Sequence, residues 1–198
     1  MNLLFATHNQ HKTEEIRSIL SASGLDVKLM SLHDLYDDED IIESGVTLDE
    51  NALIKARAGY VRHGFPTFAD DTGLEVDALD GAPGVYSARY AGESACSEDN
   101  VRKLLKEMEG VKLRNARFRT VIALILEEKE YLFQGIVEGT IIQEERGKGG
   151  FGYDPLFVPN GSHLTFAEMS EEEKNRISHR GKAVAQLVAF LKERFSDQ

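Results

Sequence analysis

Phe68-Ala69-Asp70-Asp71-Thr72-Gly73 sets two adjacent carboxylates, a hydroxyl and a glycine behind a short apolar run. Carboxylates delivered at a strand's end can hold a divalent cation and take a proton from water. The same letters also make an ordinary surface turn, so the motif draws its meaning from the other polar clusters in the chain. Thr7-His8-Asn9-Gln10-His11-Lys12 lies between an apolar strand and a helix. Such a junction offers free backbone N–H groups and the positive end of a helix dipole, a seat for phosphate. Lys12 adds a mobile cation there, and Thr7 and Asn9 add hydrogen bonds; a polar turn with Asn9 near the cap is the plainer account. Glu43, in a glycine-containing loop, is a candidate second carboxylate for a metal. Asn51 and Lys55 follow at i,i+4 spacing, on one face of a helix. Gly147 to Tyr153 packs four glycines around Lys148, Phe151 and Tyr153, a loop that lets backbone approach a ligand and offers rings for stacking. Ser178-His179-Arg180 falls at a break between two helical patterns, where side chains can be aimed at a ligand. A histidine there reads more readily as a cap or surface residue, and it has no evident partner to make it a base. Tyr86 to Tyr90 is a further polar-aromatic segment.

The elements that must position these groups follow from apolar spacing. Leu3 to Ala6 reads as a buried strand and Val27 to Leu32 as a second. Ile16, Ile19 and Leu20 mark a helix ended by Gly24, and Ala52, Leu53, Ala56 and Tyr60 another that stops at Gly64. A strand leads into Asp70, and Leu74 to Leu79 continues extended. Ser97 with Glu98 and Asp99 starts a helix. Arg117 to Leu126 and Tyr131 to Val137 form a hairpin around Glu127 to Glu130. Ser170 and Glu173 make a capping box, and Val184, Leu187, Val188, Leu191 and Phe195 stripe the closing helix. Helices at both ends with a central hairpin predict an α/β fold with a mixed sheet: two lobes with a cleft between them, in one domain over 1–198 without a linker.

A net charge of −11 excludes a broad nucleic-acid or anionic-membrane surface, but not a polyphosphate bridged to the protein by a cation. No run is long enough to span a bilayer, and the first residues lack the basic flank of a signal peptide. One cysteine, Cys96, points to a reducing compartment, with the cytoplasm as the default. No His-x-x-x-His or Cys-x-x-Cys pattern argues for zinc; an oxygen-only acidic site suits magnesium, with manganese as a substitute.

Taken in order, these clusters resemble the inosine triphosphate pyrophosphatase family. The match runs from Leu4 to about Leu191 and rests on Phe68 to Gly73, Gly81 to Tyr90, Gly149 to Pro155 and Ser178 to Gly181. The resemblance implies a two-lobed homodimer that hydrolyses ITP, dITP and XTP to the monophosphate and pyrophosphate with Mg²⁺. It implies Asp71 as general base and metal-linked aspartate, with Asp70 beside it as a further metal candidate and Glu43 as a second acidic position near the metal. It further implies Thr7 to Lys12 as the phosphate segment, Lys55 and Lys174 as cleft lysines, and Phe151, Gly152, Tyr153, Asp154, His179 and Arg180 as base-recognition elements. Two positions depart from the family pattern: His8 stands where glycine is common, and Thr72, still a hydroxyl beside the substrate, replaces a frequent serine. A Mg²⁺-dependent pyrophosphatase for modified pyrimidine nucleotides and a non-catalytic nucleotide sensor are the two rival readings.

Overall fold

The acidic pair sits inside a strand rather than at its end. In the computed structural model, which describes residues 1–195, strand β3 (Thr67–Val76) runs unbroken through Asp70-Asp71-Thr72-Gly73. This overturns the expected stop at Asp70, and the extended run ends sooner than Leu79, in a short 3₁₀ turn at Asp77–Leu79. The turn propensity of Asp-Asp-Thr-Gly loses to burial. Leu74 and Val76 are fully enclosed, and Gly73 lies so close to the Gly84 carbonyl that an added Cβ would stand 2.5 Å from its oxygen.

The other strands are β1 (Asn2–Phe5), β2 (Lys28–Ser31), β4 (Asn115–Leu126), β5 (Lys129–Ile141) and β6 (Phe157–Pro159). They form one mixed sheet in the order β2-β1-β3-β4-β5-β6. β1 is parallel to both neighbours, with Leu4 opposite Met30 and Phe5 opposite Phe68, whereas β5 and β6 are antiparallel. The helices are α1 (Gln10–Ala22), α2 (Leu48–His63), α3 (Ser97–Glu107), α4 (Glu171–Ile177) and α5 (His179–Phe195). By contacts the chain divides into two compact units.

The first unit comprises Met1–Asp71, Thr120–Gly135 and the chain from Arg180 on. Its core joins Leu3, Phe5 and Phe68 to Ile16 and Leu20 of α1 and to Val184, Leu187 and Leu191 of α5. Phe5 and Phe68 stack at 4.6 Å between ring centres. α2 packs on other side chains of the same strands: Gly59 fits against Thr67, Ala6 and Leu4, with under 3.5 Å for a Cβ. α1 begins at Asn9, whose side chain accepts from the Lys12 N–H, and α2 begins at Thr47, which accepts from Glu50. These caps satisfy N–H groups that no helix can bond internally. Gly64 ends α2 in the left-handed region, as its position after the apolar stripe predicts. Between β4 and β5 the chain reverses through Glu127 and Glu128, both at positive φ.

The second unit comprises Thr72–Arg119 and Ile136–His179. Val101 and Leu104 of α3, Met108 just after it, and Phe118, Phe157 and Phe166 build its core. Arg114 ties this unit together by donating to the carbonyls of Met108, Ile141 and Ile142. Ser170 and Glu173 cap α4 reciprocally, and Ser178 is extended at the junction with α5. No helix among the described residues is long and apolar enough to cross a membrane.

Candidate active site

Successive side chains of a strand point to opposite faces, so Asp70 shares a face with Phe68, and Asp71 shares the other with Thr67 and Ala69. Their partners divide accordingly. On its face, Asp70 accepts from Lys12 Nζ of α1 at 3.1 Å and from Arg180 Nε of α5 at 3.2 Å. Arg180, almost wholly enclosed, also bonds the Glu15 carboxylate. Burial works against the Asp70 charge, but Lys12, Arg180 and Lys55 outweigh it and hold the carboxyl far below the usual carboxylate range. Lys12 is pushed down by burial and by neighbouring Lys55 and Arg180, against the pull of Asp70.

On the other face, Asp71 Oδ1 accepts from Lys55 Nζ of α2 at 3.3 Å, and the same ammonium lies 3.3 Å from Glu43 Oε2. Burial dominates at Asp71 and pushes its carboxyl up, with Glu43 and Asp70 adding repulsion. Lys55 feels burial too, yet Asp71, Glu43 and Asp70 keep it charged above its ordinary value. The two adjacent carboxyls are therefore shifted in opposite directions, Asp70 held down by its cations and Asp71 pushed up by burial. Asp71 Oδ2 is buried and has no hydrogen-bond partner among the described residues. The Glu43 loop is fastened to α2 a second time, through the Gly45 N–H to Asn51 Oδ1 bond of 2.8 Å. A Cβ at Gly45 would meet Asn51 Oδ1 at 2.6 Å and Glu50 Cβ at 2.7 Å, so glycine is required there by close approach.

In the second unit, Gly150 and Gly152 adopt positive φ and fold the loop back on itself. Asp154 Oδ2 accepts from the Phe151 N–H at 2.9 Å and from Lys174 Nζ at 2.8 Å. Lys174 is buried and stands 4.9 Å over the Phe151 ring, a cation–π contact that fixes the aromatic face. Tyr153 is buried and donates its hydroxyl to the Ser87 carbonyl at 2.7 Å; burial raises its phenol far above the usual range. Ser87 in turn accepts from the Leu74 N–H, which makes Tyr86 to Tyr90 a brace for the second unit. His179 is buried and stacks on Phe118 at 4.5 Å and 13°.

The structure thus gathers Lys12, Glu43, Lys55, Asp70, Asp71 and Arg180 in the first unit, and Phe151, Gly152, Tyr153, Asp154, Lys174 and His179 in the second. Lys174 engages the Phe151–Asp154 loop, and Arg180 is spent on two carboxylates of its own unit. Thr7 accepts from the Asn9 N–H, His8 Nε2 meets the Asp37 carbonyl at 2.7 Å, and Gln10 and His11 are exposed at the start of α1. Thr72 is half-buried on β3. Three contributors were missed in the sequence: Glu15, Phe118 and Phe166. Glu15 was within reach, since it stands three residues after Lys12 on the same helix face. The two phenylalanines looked like any other core residue.

A divalent cation implied by the resemblance can be tested against these donors. Among the described residues, no group of three or more His, Cys, Asp or Glu is arranged as a metal site. Glu43 and Asp71 nevertheless flank one ammonium, and the buried Asp71 Oδ2 has lone pairs that no protein donor uses. An all-oxygen donor set of this kind fits a hard cation.

A model of the Ham1 family matches residues 3–190. A dITP/XTP pyrophosphatase from Porphyromonas gingivalis is 56% identical over 96% of both chains. Another dITP/XTP pyrophosphatase, from Christiangramia forsetii, is 53% identical over 96% of this chain and 99% of its own. The solved structure of a HAM1 protein from Coxiella burnetii superposes with a TM-score of 0.88 at 40% identity, covering 98% of this chain and 99% of that one.

Proposed function

This chain belongs to the Ham1 family, and we propose on that premise that it hydrolyses non-standard purine nucleoside triphosphates, ITP, dITP and XTP, to the monophosphate and pyrophosphate. The observation that carries the reading is the contrast between Asp70 and Asp71. A base for water needs an unpaired oxygen and a carboxyl lifted from its ordinary range, and Asp71 has both. The triphosphate needs fixed positive charge, and Lys12 and Lys55 stand on either side of the carboxylate pair.

Asp71 takes the proton of the attacking water as its oxygen bonds to phosphorus. The bond to pyrophosphate breaks and carries its electron pair onto the leaving group, whose charge Lys12 and Lys55 offset. Asp70 stays ionised throughout and holds Lys12 and Arg180 in place. Glu43 and Asp71 would hold a divalent cation, for which we favour Mg²⁺; when bound, it supplies charge neutralisation on the phosphates. Base selection is assigned to Lys174 and the Phe151–Asp154 loop. Hypoxanthine and xanthine present an acceptor at position 6 where adenine presents a donor. The buried Lys174, above the Phe151 ring, is a donor matched to that acceptor, with Phe151 for stacking and His179 nearby in sequence. The oligomer we expect is a homodimer, and the compartment the cytoplasm.

Pyrophosphate release should be measured across ITP, dITP, XTP, ATP, GTP and a modified pyrimidine triphosphate, with Mg²⁺, with Mn²⁺ and with chelator. Turnover of ITP, dITP and XTP well above that of ATP and of the pyrimidine, and abolished by chelator, is expected. Equal turnover of ATP, or binding of XTP without pyrophosphate release, would sink the reading.

A further inference from the structure

Asn51 is completely buried on α2, one turn before Lys55. Its carboxamide cannot be turned over. The Gly45 N–H can only donate, so the atom 2.8 Å from it must be the oxygen Oδ1. The amide nitrogen Nδ2 is thereby aimed away from the Glu43–Gly45 loop, and it has no hydrogen-bond partner among the described residues. A buried donor left like this keeps its desolvation cost uncompensated, which calls for a reason. Asp71 Oδ2 is a buried acceptor in the same condition, and the Lys55 ammonium that bonds Asp71 Oδ1 also lies 3.3 Å from Glu43, on the loop that Asn51 holds through Gly45. A donor and an acceptor, both unused, are what one water molecule satisfies by accepting from the first and donating to the second.

We propose that Asn51 is a further catalytic residue, holding through Nδ2–H the water whose proton Asp71 Oδ2 accepts. The proposal rests on the hydrolytic reading above. The water oxygen forms a bond to phosphorus, one of its protons passes to Asp71, and the electron pair of the broken anhydride bond leaves with pyrophosphate. Asn51 neither gains nor loses a proton. It orients a lone pair.

Asn51→Asp separates this role from loop anchoring, because one carboxylate oxygen still accepts from Gly45 while the donor is gone. kcat and KM for XTP are read by pyrophosphate release, and the dissociation constant of XTP by calorimetry in chelator without divalent cation. The expected result is a kcat lower by about tenfold or more, with KM and the metal-free dissociation constant within about threefold of wild type. Wild-type kcat in Asn51→Asp would make Asn51 a loop anchor only and overturn the proposal. Binding weakened in step with kcat would overturn it too, since that is the mark of added negative charge. If Asn51→Asp fails to fold, Asn51→Ala is compared with Gly45→Ala, which disturbs the same loop but keeps the amide nitrogen: a kcat about tenfold or more below that of Gly45→Ala is expected, and equal losses would overturn the proposal. The wild-type protein is assayed first: no pyrophosphate from any oxopurine triphosphate removes the hydrolytic reading itself, and this proposal with it.

Discussion

Asp70 and Asp71 are neighbours in the chain whose carboxylates face opposite sides of the sheet, one bonded to Arg180 and Lys12, the other to Lys55. Strand geometry makes the division. The pleat of β3 forces them apart and gives each its own electrostatic surroundings.

Asp71→Asn keeps the shape and removes the proton acceptor. Pyrophosphate release should fall by about 10²- to 10⁴-fold, while calorimetric binding of XTP stays within a few-fold of wild type. Full turnover in this variant would exclude Asp71 as the base.

Asp70→Asn should act on the fold. It strands Arg180 beside Glu15 with one carboxylate fewer, and breaking a buried pair costs about 3–5 kcal/mol, or about 10 °C in melting temperature for a chain of this size. The pH dependence follows from the lowered carboxyl of Asp70. A depressed group contributes stability fully above the unfolded carboxylate range and loses it as pH falls through the folded value. The gap between wild type and Asp70→Asn in urea unfolding should therefore hold constant from pH 7 down to the ordinary carboxylate range and narrow only in stronger acid. A gap that closes near neutrality would contradict the ion-pair account.

Gly45→Ala places a methyl group against Asn51 Oδ1 and Glu50 Cβ, so the loop bearing Glu43 must move. Overpacking of this kind costs about 1–3 kcal/mol. Activity should drop with it, and raising the divalent cation concentration should recover part of the loss if Glu43 is the displaced group. Unchanged kcat/KM would show that the loop tolerates the shift.

Glu127 and Glu128 occupy the two turn positions at φ of 52° and 63°, a conformation that suits Asn-Gly. Replacing them with Asn and Gly should raise stability by about 1 kcal/mol and leave turnover untouched. The lost Arg194–Glu127 pair is exposed and subtracts little. A fall in melting temperature would mean the pair matters more than the turn.

Much of this arrangement can be read from the chain before any coordinates. Apolar spacing locates α2 and α5, Ser170 with Glu173 announces α4, and the break at Ser178 appears where the two helical patterns fail to join. Residue types near Asp71 name the chemistry. What cannot be read is sidedness. Asp70 and Asp71 look like a matched pair in sequence because local composition says nothing of sheet pleat. Arg180 looks like a ligand donor because its two carboxylates lie 110 and 165 residues away. Lys174 stands beside Lys55 as a cleft lysine in the resemblance, and only the structure shows it bonded to Asp154 and set over Phe151. The turn chemistry of Asp-Asp-Thr-Gly misleads for the same reason: Leu74 and Val76 drive the strand onward from beyond the motif.

The first unit is assembled from three separated stretches, the last beginning at Arg180. During synthesis the guanidinium that neutralises Glu15 and Asp70 emerges well after both acids, whereas every stretch of the second unit is already out of the ribosome. A nascent chain halted before Arg180 would leave Glu15 without this guanidinium and Asp70 with Lys12 as its bonded cation, so this corner of the first unit is completed only once Arg180 has emerged.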